Sequence, residues 1–274
     1  MSATDDRDYL LGTDDPELAR LGLQHRVWRP TALACWGRAG ITAGSRVLDA
    51  GAGPGFATLD LAEIVGPSGR IVAVERSARY ARHAEAACRA RGLTQVRVHG
   101  LDLMADPLPA SDLDAVWCRW VACFVPSPAL LVRKLAAALR PGGAAVFHEY
   151  ADYAAWRMCP PLPAQAEFVK EVVASWRDAG GEPDIAPALV GHLAEAGLVV
   201  REAVPRAFCF RPADRGWQWP ASFLEVYPDR LVELGRVDRA WADRVRRAFR
   251  AAAADPRTLM LTPLVLEIIA RREP

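Results

Sequence analysis

Five short apolar segments alternate with helix-like segments between residues 46 and 150, and this alternation constrains the fold more than any other feature of the sequence. The apolar segments span 46–51, 70–76, 96–100, 113–119 and 144–150. Strands that are apolar along their whole length are typically buried on both faces, as in parallel sheets that are covered by their connecting helices. The chain is therefore predicted to be an α/β protein with a doubly wound sheet.

The segments between these strands carry the start and stop signals of helices. A first helix is expected over 56–65. Ser77 can cap a second helix that ends near Gly92, and Ser127 can cap a third that runs to about residue 139. A serine at the N-cap accepts from free backbone N–H groups, and a glycine after the last turn readily adopts the conformation that ends a helix.

The sequence after residue 150 predicts the remainder of a seven-stranded sheet. Helices are expected over 163–179 and 186–196, and a sixth strand over 197–208. The apolar segment at 262–272 is predicted to be the last strand. It is expected to pair antiparallel with the sixth strand, as the second strand of a hairpin.

Two helical additions to this sheet are expected. Residues 1–45 are predicted to form a helical cover, ahead of a single domain over 46–274. Within that domain, residues 214–254 are predicted to form an inserted group of helices rich in aromatic residues. Because this insertion lies between the last two strands, it is a candidate lid over a substrate.

The charge and hydropathy of the chain disfavour a nucleic-acid or membrane partner. Lys and Arg number 34 against 33 Asp and Glu, for a net charge of +1, whereas binding to a phosphate backbone usually needs a basic face. No apolar run approaches the roughly 20 residues that span a bilayer, and the acidic, polar start is unlike a signal peptide. We therefore expect a cytoplasmic protein.

The six cysteines are scattered and form no C-x-x-C pair. Such a distribution is typical of reduced thiols in a cytoplasmic protein, not of a disulfide framework or a zinc site. No group of His, Asp and Glu residues has the spacing of metal ligands, so no metal is expected. The sequence does not indicate an oligomeric state.

The segment VLDAGAGPGF, residues 47–56, places three glycines directly after the first predicted strand. In an open parallel sheet, ligands bind beyond the carboxyl ends of the strands, and this loop is a usual place. Gly51, Gly53 and Gly55 lack Cβ atoms, so the backbone can turn tightly and approach a ligand. The following helix presents free N–H groups and the positive end of its dipole. The segment therefore predicts a ligand site.

Two classes of ligand use such a loop, and the residues around it favour one of them. Dinucleotide enzymes use G-x-G-x-x-G, with the pyrophosphate at the helix N-terminus. Here the third glycine comes one residue early, and position 56 is phenylalanine. Asp49, at the end of the strand, would repel a pyrophosphate but attract a cationic amino group. A ligand that carries a sulfonium and an ammonium group fits better.

Four motifs between residues 46 and 150 resemble, in order, those of the class I S-adenosylmethionine-dependent methyltransferases. They begin with VLDAGAGPG and end with LRPGG before the fifth strand. The resemblance implies that Glu75, at the end of the second strand, holds both ribose hydroxyls of the cofactor. It also implies that Asp102 meets the adenine amino group, with Leu101 and Leu103 beside the ring. A Rossmann-like methyltransferase fold, S-adenosyl-L-methionine as cofactor and S-adenosyl-L-homocysteine as product are what the resemblance implies.

The N-terminal segment resembles the lead-in helix of small-molecule methyltransferases of the quinone-biosynthesis and natural-product type. In those enzymes a tyrosine and a polar helix residue touch the methionine end of the cofactor. The resemblance assigns these contacts to Tyr9 and Gln24.

The reacting groups are expected at the carboxyl ends of the fourth and fifth strands. His148 is the candidate general base, because an imidazole titrates near neutrality; the alternative is a buried, hydrogen-bonded histidine. Strand alternation places His148 and Tyr150 on one face and Glu149 on the other. Arg119 can bind a substrate carboxylate or pair with a local acid. Cys118 is assigned to the cofactor site. Five residues are assigned to the substrate: Arg119, Trp120, Tyr150, Tyr153 and Trp219.

The predicted function is therefore transfer of a methyl group from S-adenosylmethionine to an oxygen or nitrogen atom of a small molecule, in secondary metabolism. A nicotinamide-dependent oxidoreductase is an alternative that the glycine spacing and Asp49 disfavour. A non-methylating S-adenosylmethionine-binding protein on the same fold is a second alternative. A protein or RNA methyltransferase is a third, which the neutral charge of the chain disfavours.

Overall fold

The computed structural model describes residues 13–274 and centres on a seven-stranded sheet. The strands are β1 (Arg46–Ala50), β2 (Arg70–Glu75), β3 (Val96–Gly100), β4 (Leu113–Arg119), β5 (Leu139–Asp152), β6 (Arg157–Cys159), β7 (Leu198–Arg206), β8 (Cys209–Phe210), β9 (Leu259–Leu261) and β10 (Leu264–Arg272). The large sheet has the order β3-β2-β1-β4-β5-β10-β7. Its first five strands are parallel, and β10 is antiparallel to both of its neighbours.

Eight α-helices surround this sheet within the described part of the chain. They are α1 (Asp15–Arg38), α2 (Phe56–Val65), α3 (Ala78–Ala90), α4 (Pro128–Ala138), α5 (Pro163–Asp178), α6 (Ala186–Glu195), α7 (Gln218–Glu233) and α8 (Arg239–Ala254). Asp14, Ser77 and Ser127 cap α1, α3 and α4 through side-chain oxygens that accept backbone N–H groups.

Two apolar clusters lie on opposite faces of the sheet, which is the arrangement predicted from the uniformly apolar strands. One cluster packs α1, α2 and α3 against residues such as Val47 and Trp117. The other packs α4, α5, α6, α7 and α8 against residues such as Leu48 and Val116. Neighbouring residues of one strand therefore face different clusters, and both sides of the sheet are closed to water.

The predicted seven-stranded sheet with an antiparallel last strand is confirmed. The helices predicted over 56–65 and 163–179 are found within one residue of those limits, as α2 and α5. The fifth strand is longer than expected, since β5 extends on both sides of 144–150. The last strand also lies between β5 and β7, so it pairs with the fifth strand as well as with the sixth.

A small second sheet was not predicted. It has the order β6-β9-β8, and its strands are only two or three residues long. Segments this short contain no measurable alternation of apolar and polar residues, so the sequence carries no signal for them.

Helices α7 and α8 occupy the segment predicted as a helical insertion, and α7 packs against α1. This contact brings the N-terminal helix and the late insertion together over one edge of the sheet. Within residues 13–274, none of the helices combines the length and the apolar character that crossing a bilayer would require.

Candidate active site

A cavity of about 550 Å³ lies at the carboxyl ends of β1, β2 and β4, where the sequence predicts a ligand site. Asp49, Glu75 and Arg119 reach it from the strand ends, while α1 contributes Gln24 and α7 contributes Trp219. This volume lies in the range of small-molecule sites. One end of the cavity is lined by acids and the other by aromatic rings.

Asp49 is buried at the end of β1 and lines the acidic end of the cavity. Its Oδ2 accepts a hydrogen bond of 2.6 Å from the hydroxyl of Thr58 in α2. Burial raises the pKa of Asp49 to about 6, although Thr58 and the charge of Arg119 lower it. A carboxylate that is removed from water in this way gains from a cationic ligand group.

Glu75 ends β2 and is held by the backbone on both of its oxygens. Oε2 accepts from the N–H of Gly53 at 2.8 Å, and Oε1 accepts from the N–H of Ser77 at 2.8 Å. Burial raises the pKa of Glu75, and these two N–H groups oppose the rise. Each carboxylate oxygen retains a second acceptor site, so the fixed carboxylate can receive two further hydroxyl groups.

Asp102 lines the same end of the cavity in the loop after β3, together with Leu101 and Leu103. Its Oδ1 accepts from the N–H of Met104 at 2.7 Å, which fixes the carboxylate in the loop. The structure thus brings together the three acids that the sequence singles out at the ends of β1, β2 and β3.

The N–H groups at the start of the glycine loop are used within the protein. Those of Gly51 and Ala52 both donate to the carbonyl of Val74 at 2.9 Å. That of Gly53 donates to Glu75, and the next residue is a proline, which has no N–H. These four residues therefore offer no donor to a pyrophosphate, which weighs against a nicotinamide dinucleotide.

Gly55 does not line the cavity, in contrast to its predicted role as a cofactor contact. Its φ is +87°, and a Cβ there would come within 2.7 Å of the Cβ of Ala84 in α3. Gly55 is needed because α2 and α3 approach each other closely. Gly51 does line the cavity, and a Cβ there would lie 2.3 Å from the side chain of Val121, in the loop after β4.

The aromatic end of the cavity is formed by residues from β5, α5, α7 and the loops beside them. Trp120 has the unusual φ of +51° for a bulky residue, and its indole lies beside Tyr150 and Trp219. It stacks on these rings with centroid distances of 5.6 and 6.1 Å. The rings that line this end are Trp120, Phe124, Tyr150, Tyr153, Trp156, Trp176, Trp219 and Phe223.

Three polar residues of α1 line the cavity at successive helical turns. Arg20 donates to both carboxylate oxygens of Glu17, at 2.6 and 2.7 Å, and to Oε1 of Gln24 at 2.8 Å. The same oxygen of Gln24 accepts from the indole N–H of Trp219 at 3.0 Å. Gln24 therefore ties α1 to α7, and the charge of Arg20 is balanced by Glu17.

Arg119 lies at the end of β4, between the acidic and the aromatic parts of the cavity. Its guanidinium lies over the rings of Trp117 and Trp120, at 5.7 and 5.1 Å from their centroids. One nitrogen, Nη2, donates to Nδ1 of His25 at 3.0 Å. His25 in turn contacts Oδ2 of Asp60 at 3.0 Å.

His148 lies outside the cavity, and this placement argues against its predicted role as general base. Its side chain is fully buried under the rings of Trp117 and Trp28, at centroid distances of 4.7 and 6.2 Å. Its Nε2 lies 3.1 Å from Glu267 on the neighbouring strand β10. Alternation along a strand indicates only a face of the sheet and not the depth at which a side chain lies.

Cys118 also lies outside the cavity, although it was assigned to the cofactor site. Its side chain is fully buried in the apolar core, and its Sγ lies 4.0 Å from Oε1 of Glu149. That carboxylate accepts from the N–H groups of Val121 and Ala122 at 2.8 and 2.9 Å. Glu149 therefore holds the loop that follows β4.

One group of possible metal ligands occurs among residues 13–274, although the sequence suggests none. Atoms of Cys35, His148 and Glu267 lie within 4.8 Å of one another, in the core away from the cavity. Two guanidinium groups, of Arg38 and Arg206, contact Oε2 of Glu267 at 2.7 and 2.9 Å. Their positive charges already balance the carboxylate and would repel a metal cation.

Tyr9 lies outside the described residues, so its predicted contact stays a prediction.

Some residues in or beside the cavity carry no signal in the sequence. Trp176 and Phe223 lie in amphipathic helices, where an aromatic residue is ordinarily part of the core. His25 and Arg119 are in contact although they lie 94 residues apart in the sequence, and no local sequence pattern predicts such a contact.

Comparisons with known proteins agree with this geometry. The sequence profile of a methyltransferase domain family matches residues 47–143. Nocamycin O-methyltransferase of Saccharothrix syringae is 30% identical over 231 residues, which cover 78% of this chain and 81% of that protein.

Solved structures with similar folds match this chain over most of its length. BH2331 of Bacillus halodurans C-125, a candidate methyltransferase, has a TM-score of 0.59 at 19% identity, and the match covers 88% of this chain and 98% of that one. Geranyl diphosphate C-methyltransferase from Streptomyces coelicolor A3(2), solved with Mg2+, geranyl diphosphate and S-adenosyl-L-homocysteine, has a TM-score of 0.56 at 17% identity. That match covers 90% of this chain and 81% of the other. At such identities the two structures establish a shared fold.

Proposed function

Because this chain belongs to the class I S-adenosylmethionine-dependent methyltransferases, we propose that it transfers the methyl group of that cofactor to an oxygen or nitrogen atom of an apolar small molecule. The observation that carries the proposal is that one cavity joins the acids at the strand ends to a chamber walled by aromatic rings. The acidic end suits the cofactor, and the aromatic end suits a flat or apolar acceptor. The similarity to an O-methyltransferase favours oxygen as the accepting atom.

The three acids match the three polar ends of the cofactor. Asp49 suits the ammonium group of the methionine end, the doubly held Glu75 suits the two ribose hydroxyls, and Asp102 suits the adenine amino group. When bound, S-adenosylmethionine supplies a methyl group on a positively charged sulfur. The protein has to hold the acceptor against that methyl group and to exclude water.

The residues around the acceptor chamber favour catalysis by positioning. No histidine lines the cavity among residues 13–274, and Glu17 is engaged by Arg20. Burial raises the pKa of Tyr150, so its hydroxyl stays protonated at neutral pH. The acceptor therefore has to arrive as a nucleophile, as an amine or as an acidic hydroxyl such as a phenol or enol. Alignment of two reactants can supply roughly 7–11 kcal/mol of the barrier reduction.

Acceptor class is tested with purified protein and S-adenosylmethionine that carries an isotopically labelled methyl group. Phenols, enols, aryl amines and aliphatic alcohols of similar size are compared, and mass spectrometry detects the labelled methyl group on the product. We expect transfer to acidic hydroxyls or amines and none to aliphatic alcohols. Binding of S-adenosylhomocysteine without transfer to any of these acceptors would instead support a non-methylating protein.

Two tryptophan variants distinguish an effect on acceptor binding from a general effect on stability. Trp219→Leu removes a ring of the chamber, whereas Trp241→Leu changes a tryptophan of α8 that does not line the cavity. We expect Trp219→Leu to raise KM for the acceptor and to leave cofactor affinity within about threefold of the original. If the two variants have the same KM for the acceptor, the aromatic chamber is not the acceptor site.

Cofactor affinity is expected to fall as the pH is lowered from 7 to 5. Since the pKa of Asp49 is raised to about 6, this carboxyl is largely ionised at pH 7 and largely protonated at pH 5. A cationic ligand binds the ionised form, so affinity should fall by up to tenfold per pH unit below about 6. Calorimetry with S-adenosylhomocysteine at each pH measures this slope.

The variant Asp49→Asn provides the control for this pH dependence. It should bind more weakly at pH 7 and show a shallower slope, because Asp49 no longer titrates, although Glu75, whose pKa is also raised by burial, still does. An unchanged slope in Asp49→Asn would assign the pH dependence to another group.

A further inference from the structure

One nitrogen of Arg119 is buried without an acceptor among the described residues. This atom is Nη1, and the side chain that carries it lines the cavity. A buried N–H group of a guanidinium that lacks an acceptor is costly, more so than a neutral donor. The geometry therefore favours an anionic group of a ligand as its acceptor.

The position of Arg119 in the sheet indicates which ligand group this is. β1 pairs with β4 so that Asp49 lies opposite Trp117, and side chains two residues apart on a strand share a face. Arg119 thus projects from the same face as Asp49, on the adjacent strand. An acid and a base side by side are complementary to a zwitterion, and the methionine end of the proposed cofactor carries both an ammonium group and a carboxylate.

We propose that Arg119 binds the carboxylate of the cofactor's methionine end beside Asp49, and that His25 is a positioning residue that orients the guanidinium. This assignment rests on the proposed function, because it names a subsite for the same cofactor. It replaces the expectation that Arg119 binds a carboxylate of the substrate.

The hydrogen-bond chain behind Arg119 has only one consistent arrangement of protons. A guanidinium can only donate, so Nδ1 of His25 has to be the acceptor of the 3.0 Å contact. The proton of the ring then lies on Nε2, which donates to Oδ2 of Asp60 at 3.0 Å. The same oxygen accepts from Nε of Arg29 at 2.8 Å, which anchors Asp60.

Aromatic rings restrict the remaining freedom of the guanidinium. Trp117 and Trp120 lie against it at 5.7 and 5.1 Å, as in cation–π pairs. His25 itself stacks on Phe56, at a centroid distance of 6.0 Å. Arg119 is therefore oriented before the ligand arrives, which lowers the entropic cost of binding.

Arg20 is a rival for this role, because its side chain also lines the cavity. Its guanidinium already donates twice to Glu17 and once to Gln24. With its charge balanced, it has less to gain from a ligand carboxylate. Arg20→Met is therefore the matched control for Arg119→Met.

The test compares two ligands that differ only in the carboxylate. Calorimetry measures Kd for S-adenosylhomocysteine and for its analogue that lacks the carboxylate, and the ratio of the two values reports the subsite. We expect the original protein to prefer the complete ligand by about 10- to 100-fold, as is typical of a hydrogen bond between charged groups. Arg119→Met should bring the ratio close to one, whereas Arg20→Met should leave it unchanged.

The positioning role of His25 is tested by the same ratio. His25→Phe retains a ring beside Phe56 but has no acceptor for Arg119, so the ratio should fall several-fold. His25→Asn places an amide oxygen near the position of Nδ1 and should restore most of the ratio. A purely structural role would lower the affinity for both ligands equally and leave the ratio unchanged.

The outcomes separate this inference from the function on which it rests. If the original protein binds neither ligand, the proposed function fails. A second case is that the original protein binds both ligands. If the ratio of the two Kd values is then unchanged in Arg119→Met, or falls only in Arg20→Met, the assignment of Arg119 is overturned and the proposed function stands. Should Arg119→Met not fold, Arg119→Gln keeps a polar side chain without the positive charge, and an unchanged ratio in that folded variant would equally contradict the inference.

Discussion

Replacing Glu75 with alanine should weaken the binding of S-adenosylmethionine by about 100-fold or more. A charged hydrogen bond contributes about 1.5–3 kcal/mol, and the proposed pair of ribose hydroxyls would lose two of them. The substitution also leaves the N–H groups of Gly53 and Ser77 without their acceptor. Calorimetry with S-adenosylhomocysteine measures the loss.

A ligand change provides the control for Glu75. The 2′-deoxy analogue of S-adenosylhomocysteine lacks one of the two hydroxyls, so it should bind the original protein more weakly but bind Glu75→Ala as well as the complete ligand does. Glu63→Ala serves as the matched substitution, since Glu63 is an exposed partner of Arg91. If Glu75→Ala discriminates between the two ligands as the original protein does, Glu75 does not contact the ribose.

Replacing Trp28 with alanine should destabilise the protein by about 3–5 kcal/mol, the usual range for removing a fully buried aromatic side chain. Trp28 is fully buried in α1, and its ring packs edge-on against Trp120, Phe208 and Trp219 at centroid distances of 4.9 to 5.5 Å. It thereby joins the N-terminal helix to the loop after β4, to the segment after β7 and to α7. Urea unfolding measures the free energy of unfolding of both proteins.

Trp241→Ala is the control for this measurement, because Trp241 is only partly buried in α8. We expect it to cost less than half as much as Trp28→Ala. A loss below about 1 kcal/mol for Trp28→Ala would mean that α1 is a separable cover over the domain. A loss of about 3–5 kcal/mol would mean that residues 15–38 belong to the same cooperative unit as the sheet.

The acids of the site could be found from the sequence because their positions follow from local rules. A strand that ends in a glycine loop places Asp49 at the carboxyl edge of a parallel sheet, and Glu75 and Asp102 end or follow the next two strands. Carboxyl ends of parallel strands meet at one edge, so three acids that are distant in sequence are predicted to lie together.

The placement of His148 outside the cavity has a physical cause. Alternation along a strand indicates which face a side chain occupies, and β5 does place His148 on the face that carries α1. Whether that position is open to a cavity depends on Trp28 and Trp117, which cover it, and on Glu267 from the last strand, which lies beside it. None of these contacts is local in sequence.

The sequence by itself determined the alternation of strands and helices from β1 to β5 and the acidic edge of the cavity, because both depend on periodicity and on residue types within one or two neighbouring elements. Only the tertiary structure decided which side chains share the cavity. The packing of α1 on α7 closes the aromatic chamber, and the contact of His25 with Arg119 orients a donor towards the acids. Such contacts depend on how elements pack across the whole chain, and a linear pattern specifies that a face is buried without specifying what buries it.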